Sequence, residues 1–281
     1  MYHELRKRGT SVAALALAAS VATAQAADDT SMILDILVAA YPDHLAGHDG
    51  KDVIFKDGTR LPASDGRSGK SFDDLLDAPS ILDQFAIPYP LGGDTHRPAL
   101  NEDPGRIRNE AFFRKLYGDC RRGEVAPRLK AVPWLAKRGG GTVMATTVNG
   151  VAERLTAVAR DLDALPDTMT KYLVPSAGIY NCRPIAGTGR MSVHGYGAAI
   201  DLNASFGDYW LWSKGKSGGA KSGEIAWKNR FPAAIVEVFE RHGFIWGGKW
   251  YHFDTFHFEY RPEIIALAKR GSPPHPPASE K

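Results

Sequence analysis

The sequence predicts an α+β domain in which a small antiparallel sheet carries packed helices and is preceded by a long irregular segment wrapped over the core. Three observations carry this. Two stretches, 149–165 and 231–242, place apolar residues at helical spacing. The runs with strand character are short and alternate. From Pro88 to Gly105 the chain is rich in proline and glycine, and a loop of that length in a compact domain is usually functional or lies across the core.

The 281-residue chain is long enough to bury a sizeable core. Its start has a separate character. Arg6, Lys7 and Arg8 precede an apolar run from Ser11 to Val21, which ends on Ala24-Gln25-Ala26. A basic start, a run too short to span a bilayer and a small-x-small end are the marks of a secretory signal peptide, residues 1–26. Its removal takes three of the 35 Lys+Arg and one of the 32 Asp+Glu, leaving 32 against 31. That balance points to no nucleic-acid partner and no anionic membrane surface. The expected product is periplasmic or secreted, without stable membrane insertion after cleavage; nothing in the sequence sets its oligomeric state. In that oxidising setting the two cysteines, Cys120 and Cys182, are expected to form a disulfide.

In chain order, Ser31 to Tyr41 is a mostly apolar run stopped by Pro42 and reads as a helix. His44 and His48 stand four apart, but Pro42, Gly47 and Gly50 argue for a loop there and not for helical metal ligands. Val53 to Leu61 alternates around Asp57-Gly58 and predicts a hairpin. Gly66 to Ser71 has only a superficial likeness to a phosphate loop; Ser71 with Asp74 three residues on instead predicts a capped helix through Leu75 and Leu76. Thr142 to Val148 predicts a strand. Asn149 is then expected to cap a helix presenting Val151, Leu155, Val158, Leu162 and Leu165 on one face. Tyr172 to Tyr180 predicts a second strand. Phe206 to Gly223, with Trp210 and Trp212, reads as an exposed loop. Phe231 to His242 predicts an amphipathic helix begun at Pro232 and ended at Gly243, with His242 compensating its dipole. Phe244 to Tyr260 predicts a hairpin turning at Gly247-Gly248. The tail beyond Arg270 is proline-rich, with the composition of a disordered segment.

The chemistry concentrates in two stretches, S-V-H-G-Y-G-A-A-I-D from Ser192 to Asp201 and D-T-F-H-F-E from Asp254 to Glu259. Imidazole and carboxylate suit zinc, and a catalytic zinc takes three protein ligands and leaves a fourth position open. His194, Asp201 and His257 are the candidate three. Gly195 and Gly197 permit a tight turn after His194. Gly197 to Ile200 reads as a short buried strand ending on Asp201, whose charge then needs a partner.

These residues resemble the zinc D-alanyl-D-alanine carboxypeptidases and L-alanyl-D-glutamate endopeptidases, whose pattern is S-x-H-x-x-G-x-A-x-D followed later by [DE]-x-x-H. Both halves are present, and the likeness is clearest from about Pro175 to Pro262. The resemblance implies a fold like the Hedgehog signalling domain. It further implies Zn2+ on His194, Asp201 and His257, Asp254 as general base, and peptidoglycan stem peptides as substrate. The upstream half resembles the subgroup with a long N-terminal extension, including D-P-G-R-I-R at Asp103 to Arg108.

Substrates of that family carry carboxylates, which suit the planar fork of arginine. Arg183 and Arg190 precede the His194 motif. Arg183 matches the arginine after the aromatic residue in the family's upstream strand, with Asn181 and Cys182 standing between it and Tyr180. His252 has three open roles: oxyanion donor, support for another site residue, or structural. Glu259 is expected to orient His257 or the strand and not to bind metal. The alternatives are a zinc-stabilised binding protein without catalysis, and a hydrolase using Ser192 with His194. The expected organisation is a signal peptide at 1–26, a wrapping extension at 27–130, a catalytic domain at 131–270 and a tail at 271–281.

Overall fold

A computed structural model describes residues 28–92, 97–214 and 225–271. The expected signal peptide, the proline-rich tail beyond Gly271 and residues 215–224 of the Trp210 loop lie outside them. Among the described residues the strands form three small antiparallel sheets with helices packed around them, the α+β architecture expected. No described helix is long and apolar enough to cross a membrane.

The chain enters through α1 (28–40), which buries Leu34 and Leu37. It continues into a three-stranded sheet of β1 (Leu45–His48), β2 (Asp52–Phe55) and β3 (Arg60–Pro62), with Asp57-Gly58 as the turn between the last two. The expected loop at His44 to His48 is therefore partly a strand. His48 has a structural partner, its Nε2 lying 3.0 Å from Asp35 Oδ1 on α1. Helix α2 (Phe72–Asp77) begins with the reciprocal cap expected of Ser71 and Asp74. Helix α3 (Glu110–Tyr117) turns Phe112, Phe113, Leu116 and Tyr117 inward.

β4 (Leu129–Pro133) and β5 (Thr142–Thr146) form a hairpin against α4 (Val151–Asp163), whose buried face is Val151, Leu155, Val158 and Leu162. Asn149 does not cap α4. Its backbone is left-handed at φ +51°, Gly150 holds the capping position, and its Nδ2 donates 2.9 Å to Ala40 O at the end of α1. A tertiary partner has taken the amide that local rules assign to the helix.

The strand expected at Tyr172 to Tyr180 is not formed. Thr170–Leu173 is a short helix, α5, whose Tyr172 ring packs on Phe206 and Phe231. Pro175 offers no N–H and Gly178 adopts φ +111°, so the segment makes only one bridge, Gly178 to Asp201.

The third sheet runs in the order β6 (Ala199–Asp201), β8 (His257–Tyr260), β7 (Phe244–Trp246). Alternation divides the faces of β8. Phe258 stacks on Phe239 of α7 (Ala233–Arg241), with ring centroids 3.9 Å apart. His257 and Glu259 face the other way. Helix α7 starts at Pro232 and ends before Gly243 as expected, and His242 pairs with Asp161 at 2.8 Å. β7 and β8 do pair, but the chain does not reverse at Gly247-Gly248. Gly247 O accepts from Asp254 N at 3.0 Å, closing a loop that holds Trp250, His252 and Asp254. A Cβ on Gly247 would lie 2.6 Å from Asp254 O, so this approach needs glycine. Part of the expected Trp210 loop is helical, as α6 (Trp210–Lys214), and the chain closes with α8 (Pro262–Arg270).

One hydrophobic core joins Leu34 of the N-terminal segment to Leu267 of α8. Polar links also cross it. Tyr89 Oη donates to Glu240 at 2.8 Å, Trp250 Nε1 donates to Pro104 O at 2.8 Å, and Tyr41 Oη donates to Glu263 at 2.7 Å.

Cys120 and Cys182 form the expected disulfide, with Cα atoms 5.7 Å apart and a separation of 62 positions in sequence. It ties the end of α3 to the segment leading into the His194 motif. Closing a loop of that length is worth about 4 kcal/mol on the chain-entropy model. Cys182→Ser should lower the unfolding free energy by about that amount in a denaturant titration; an unchanged midpoint would show that the bridge contributes nothing.

Candidate active site

His194 sits in a one-turn 3-10 segment, Val193–Tyr196, in which its own backbone N–H donates to Ser192 Oγ at 3.4 Å. The two glycines of the motif serve different ends. Gly197 ends the turn in a left-handed conformation, φ +68°. At Gly195 a Cβ would lie 2.6 Å from Met191 Sδ and 3.3 Å from Cys120 Sγ, so the disulfide and Met191 press directly on the turn. His194 Nδ1 lies 2.6 Å from Ile179 O. A carbonyl can only accept, so Nδ1 carries the proton and Nε2 presents its lone pair to the site.

Sheet register supplies the next two groups. Asp201 and His257 are direct cross-strand partners on β6 and β8. Asp201 Oδ1 is 2.9 Å from His257 Nδ1, Asp201 Oδ2 is 3.2 Å from His194 Nε2, and the two ring nitrogens are 3.2 Å apart. One ligand atom from each residue fits within 4.8 Å of the others. Two residues along β8, Glu259 returns to the same face, and its Oε2 lies 3.3 Å from His257 Nε2. That carboxylate fixes the tautomer which presents Nδ1, the usual carboxylate–imidazole support of a metal ligand.

Charge is dense and mostly buried here. Burial works to raise the Glu259 pKa, but the Arg108 guanidinium, 3.1 Å from both oxygens, together with His257 and Arg261 holds it down at about 2. Burial works against a proton on His257, yet Asp201 and Glu259 outweigh it and raise the pKa to about 10. Asp201 is likewise opposed by burial and is held below its ordinary value by the two imidazoles. The metal-free cluster thus keeps a proton where a cation between these donors would replace it. Two imidazoles and a carboxylate are a donor set that suits zinc.

Asp254 is brought beside this cluster by a tight turn in which His257 N donates 3.2 Å to Asp254 O. Its carboxylate differs from the others. Burial raises its pKa to about 7, with His257 opposing and Asp201 adding to the rise, and its Oδ1 is buried without a hydrogen bond. An orphaned buried oxygen is uncommon and calls for a reason.

All four residues line a cavity of about 260 Å3 with Ser192, His252, Arg183 and the rings of Trp210, Trp212 and Trp250. Arg183 lines the same cavity, is exposed, and donates to Pro184 O at 3.4 Å. Arg190 lines a separate, neighbouring cavity. His252 Nδ1 lies 2.7 Å from Asp103 Oδ2, and its ring meets Trp210 edge-on at 4.7 Å.

Asp103, Arg106 and Arg108 are the site residues that sequence reasoning passed over. Asp103 is fully buried, orients His252 and accepts from Arg106 Nη1 at 2.6 Å. Both arginines line the cavity. The signal was the D-P-G-R-I-R run itself, three charges placed at the end of the long Pro/Gly-rich stretch.

Comparison with known proteins agrees with this geometry. Residues 186–260, about a quarter of the chain, match the family model described as D-alanyl-D-alanine carboxypeptidase, a likeness that suggests peptidase activity. The matched stretch contains His194, Asp201, Asp254, His257 and Glu259; Arg183 and the D-P-G-R-I-R run lie outside it. No curated protein and no solved structure matches the chain.

Proposed function

We propose that this protein is an exported, zinc-dependent peptidase acting on peptidoglycan stem peptides, with residues 131–270 as its catalytic domain and 27–130 as an extension that completes the site. The observation that carries the reading is the convergence of His194 Nε2, Asp201 and His257 Nδ1 beside an Asp254 carboxylate with an unpartnered oxygen. Zinc, when bound, supplies a Lewis acid and a water whose pKa falls to near 7. His194, Asp201 and His257 would hold it, with Ile179 O and Glu259 fixing the ring tautomers.

Asp254 is the proton acceptor. Its partnerless oxygen has no competing donor, and a nearby cation lowers a carboxylate pKa that stands at about 7, raised chiefly by burial, so the base is ionised at neutral pH. His252, aimed by Asp103, supplies a second polar group to the same cavity. Arg106 and Arg183 both act electrostatically on Asp254 and line the cavity, which suits them to a substrate carboxylate. The disulfide favours an oxidising compartment, periplasmic or extracellular.

Mass analysis of the products from purified cell-wall peptides tests the reading. Release of a terminal D-alanine defines a carboxypeptidase and an internal cut an endopeptidase; no cleavage by the zinc-loaded protein would leave a non-catalytic zinc protein. Arg183→Ala should lower kcat/KM by about tenfold to a hundredfold, the worth of a hydrogen bond to a charged group, with zinc content unchanged. A larger loss in Arg190→Ala on a substrate with a single carboxylate would transfer the role to Arg190.

A further inference from the structure

Next to the metal cavity lies a second one of about 150 Å3, floored by Leu76, Pro79 and Phe113 and walled by Arg190, Tyr196, Arg106 and Arg108. Three of its donor atoms stand out. Arg190 Nε, Arg190 Nη1 and Tyr196 Oη are all buried, and among the described residues none makes a hydrogen bond. Buried polar atoms are nearly always satisfied, so three orphans around one cavity mark a place shaped for an absent acceptor.

The acceptor is anionic. The donors are guanidinium groups and a phenol, and the planar fork of arginine matches a carboxylate in two-point geometry. Two carboxylates also border the cavity, but one reaches Arg190 only as a solvent-exposed ion pair without a hydrogen bond, and the other is engaged by Arg114. Asp77 is 71% exposed and only 3.4 Å from Arg190 Nη1 as an ion pair; Glu110 accepts from Arg114 at 2.6 Å. Arg106 and Arg108 line both cavities and so make the wall between them. One peptide can therefore occupy both, with its reacting bond in the first and an acidic side branch in the second.

We propose that this cavity is a second carboxylate subsite, in which Arg190 and Tyr196 bind a free carboxylate borne by another residue of the peptide substrate. It rests on the peptidase reading and adds a specificity to it: the preferred substrate is a peptide with a second acidic group near the cut. It also gives the N-terminal segment a function, since Leu76, Pro79, Arg106, Arg108 and Phe113 all come from there.

The test uses the zinc-loaded protein and matched peptides that carry a free carboxylate one, two or three residues from the scissile bond, each beside its carboxamide twin. A non-hydrolysable set, with the scissile amide reduced to a methyleneamine, is titrated by calorimetry; the hydrolysable set is followed kinetically. In at least one register the carboxylate member should bind about tenfold or more tightly than its twin, a hydrogen bond to a charged group being worth that much. The kinetic preference should lie in KM and not in kcat. Arg190→Gln should bring the ratio close to one. Tyr196→Phe, which removes a single oxygen and keeps the ring, should reduce it partway. Equal binding of both members by the unaltered protein in every register, or a ratio that survives Arg190→Gln, overturns the proposal. The two readings fail separately: a carboxylate preference without hydrolysis removes the peptidase and keeps the subsite, and hydrolysis without preference does the reverse.

Discussion

Asp254→Asn should keep its zinc and its fold while hydrolysis falls by the ~10²–10⁴ that a positioned proton acceptor contributes. Asparagine preserves the shape of the side chain and removes its basicity. On the proposed ligand set the metal does not depend on it, because three donors would come from His194, Asp201 and His257. The turn from Asp254 O to His257 N survives as well, since both atoms belong to the backbone. Removing the charge also relieves a buried carboxylate whose Oδ1 has no partner, so the variant should be no less stable than the parent. Metal analysis, a thermal melt and a cleavage assay on one preparation decide it. Turnover near that of the parent would disqualify Asp254 as the base and make His252 the next residue to test. Loss of zinc would place Asp254 among the ligands.

His194→Ala should abolish stoichiometric zinc and activity together. Its Nε2 is one of three donors, and the two that remain, Asp201 and His257, already satisfy one another at 2.9 Å. Chelation of the parent should reproduce the loss, and added zinc should restore it. The pH dependence of loading follows from His257. In the metal-free protein its pKa stands at about 10, because Asp201 and Glu259 favour the imidazolium over the cost of burial. Zinc must displace that proton, so apparent affinity should weaken by about tenfold for each unit of falling pH across the neutral range. Calorimetry in two buffers of different ionisation enthalpy should find at least about one proton released per zinc, from His257, with a further fraction from Asp254 near neutral pH. Full activity in chelator, or loading that ignores pH, would refute the metal assignment.

Local signals in the sequence were enough for much of this protein. The cap of α2, the buried face of α4 and the limits of α7 follow from spacing and end residues, because those forces act within a few positions of the chain. The motif from Ser192 to Asp201 and the one from Asp254 to Glu259 named every residue at the candidate metal cluster. The disulfide was legible from two cysteines and an expected export signal.

Other features came only with the tertiary structure. Asn149 looked like a cap until Ala40 O, 109 positions earlier, claimed its amide. Tyr172 to Tyr180 had the composition of a strand, but Pro175 and Gly178 leave it a single bridge to β6, and the sheet is built from β6, β8 and β7 instead. The register that sets Asp201 opposite His257 depends on strands more than 50 positions apart, and no local preference encodes it. The same holds for Arg108 on Glu259 and for Asp103 on His252, each pair separated by about 150 positions. Sequence alone determined which side chains have the chemistry for a metal and a base. Tertiary packing decided their partners, because burial strips water from these charges and forces each to find a counter-charge wherever the fold brings one near.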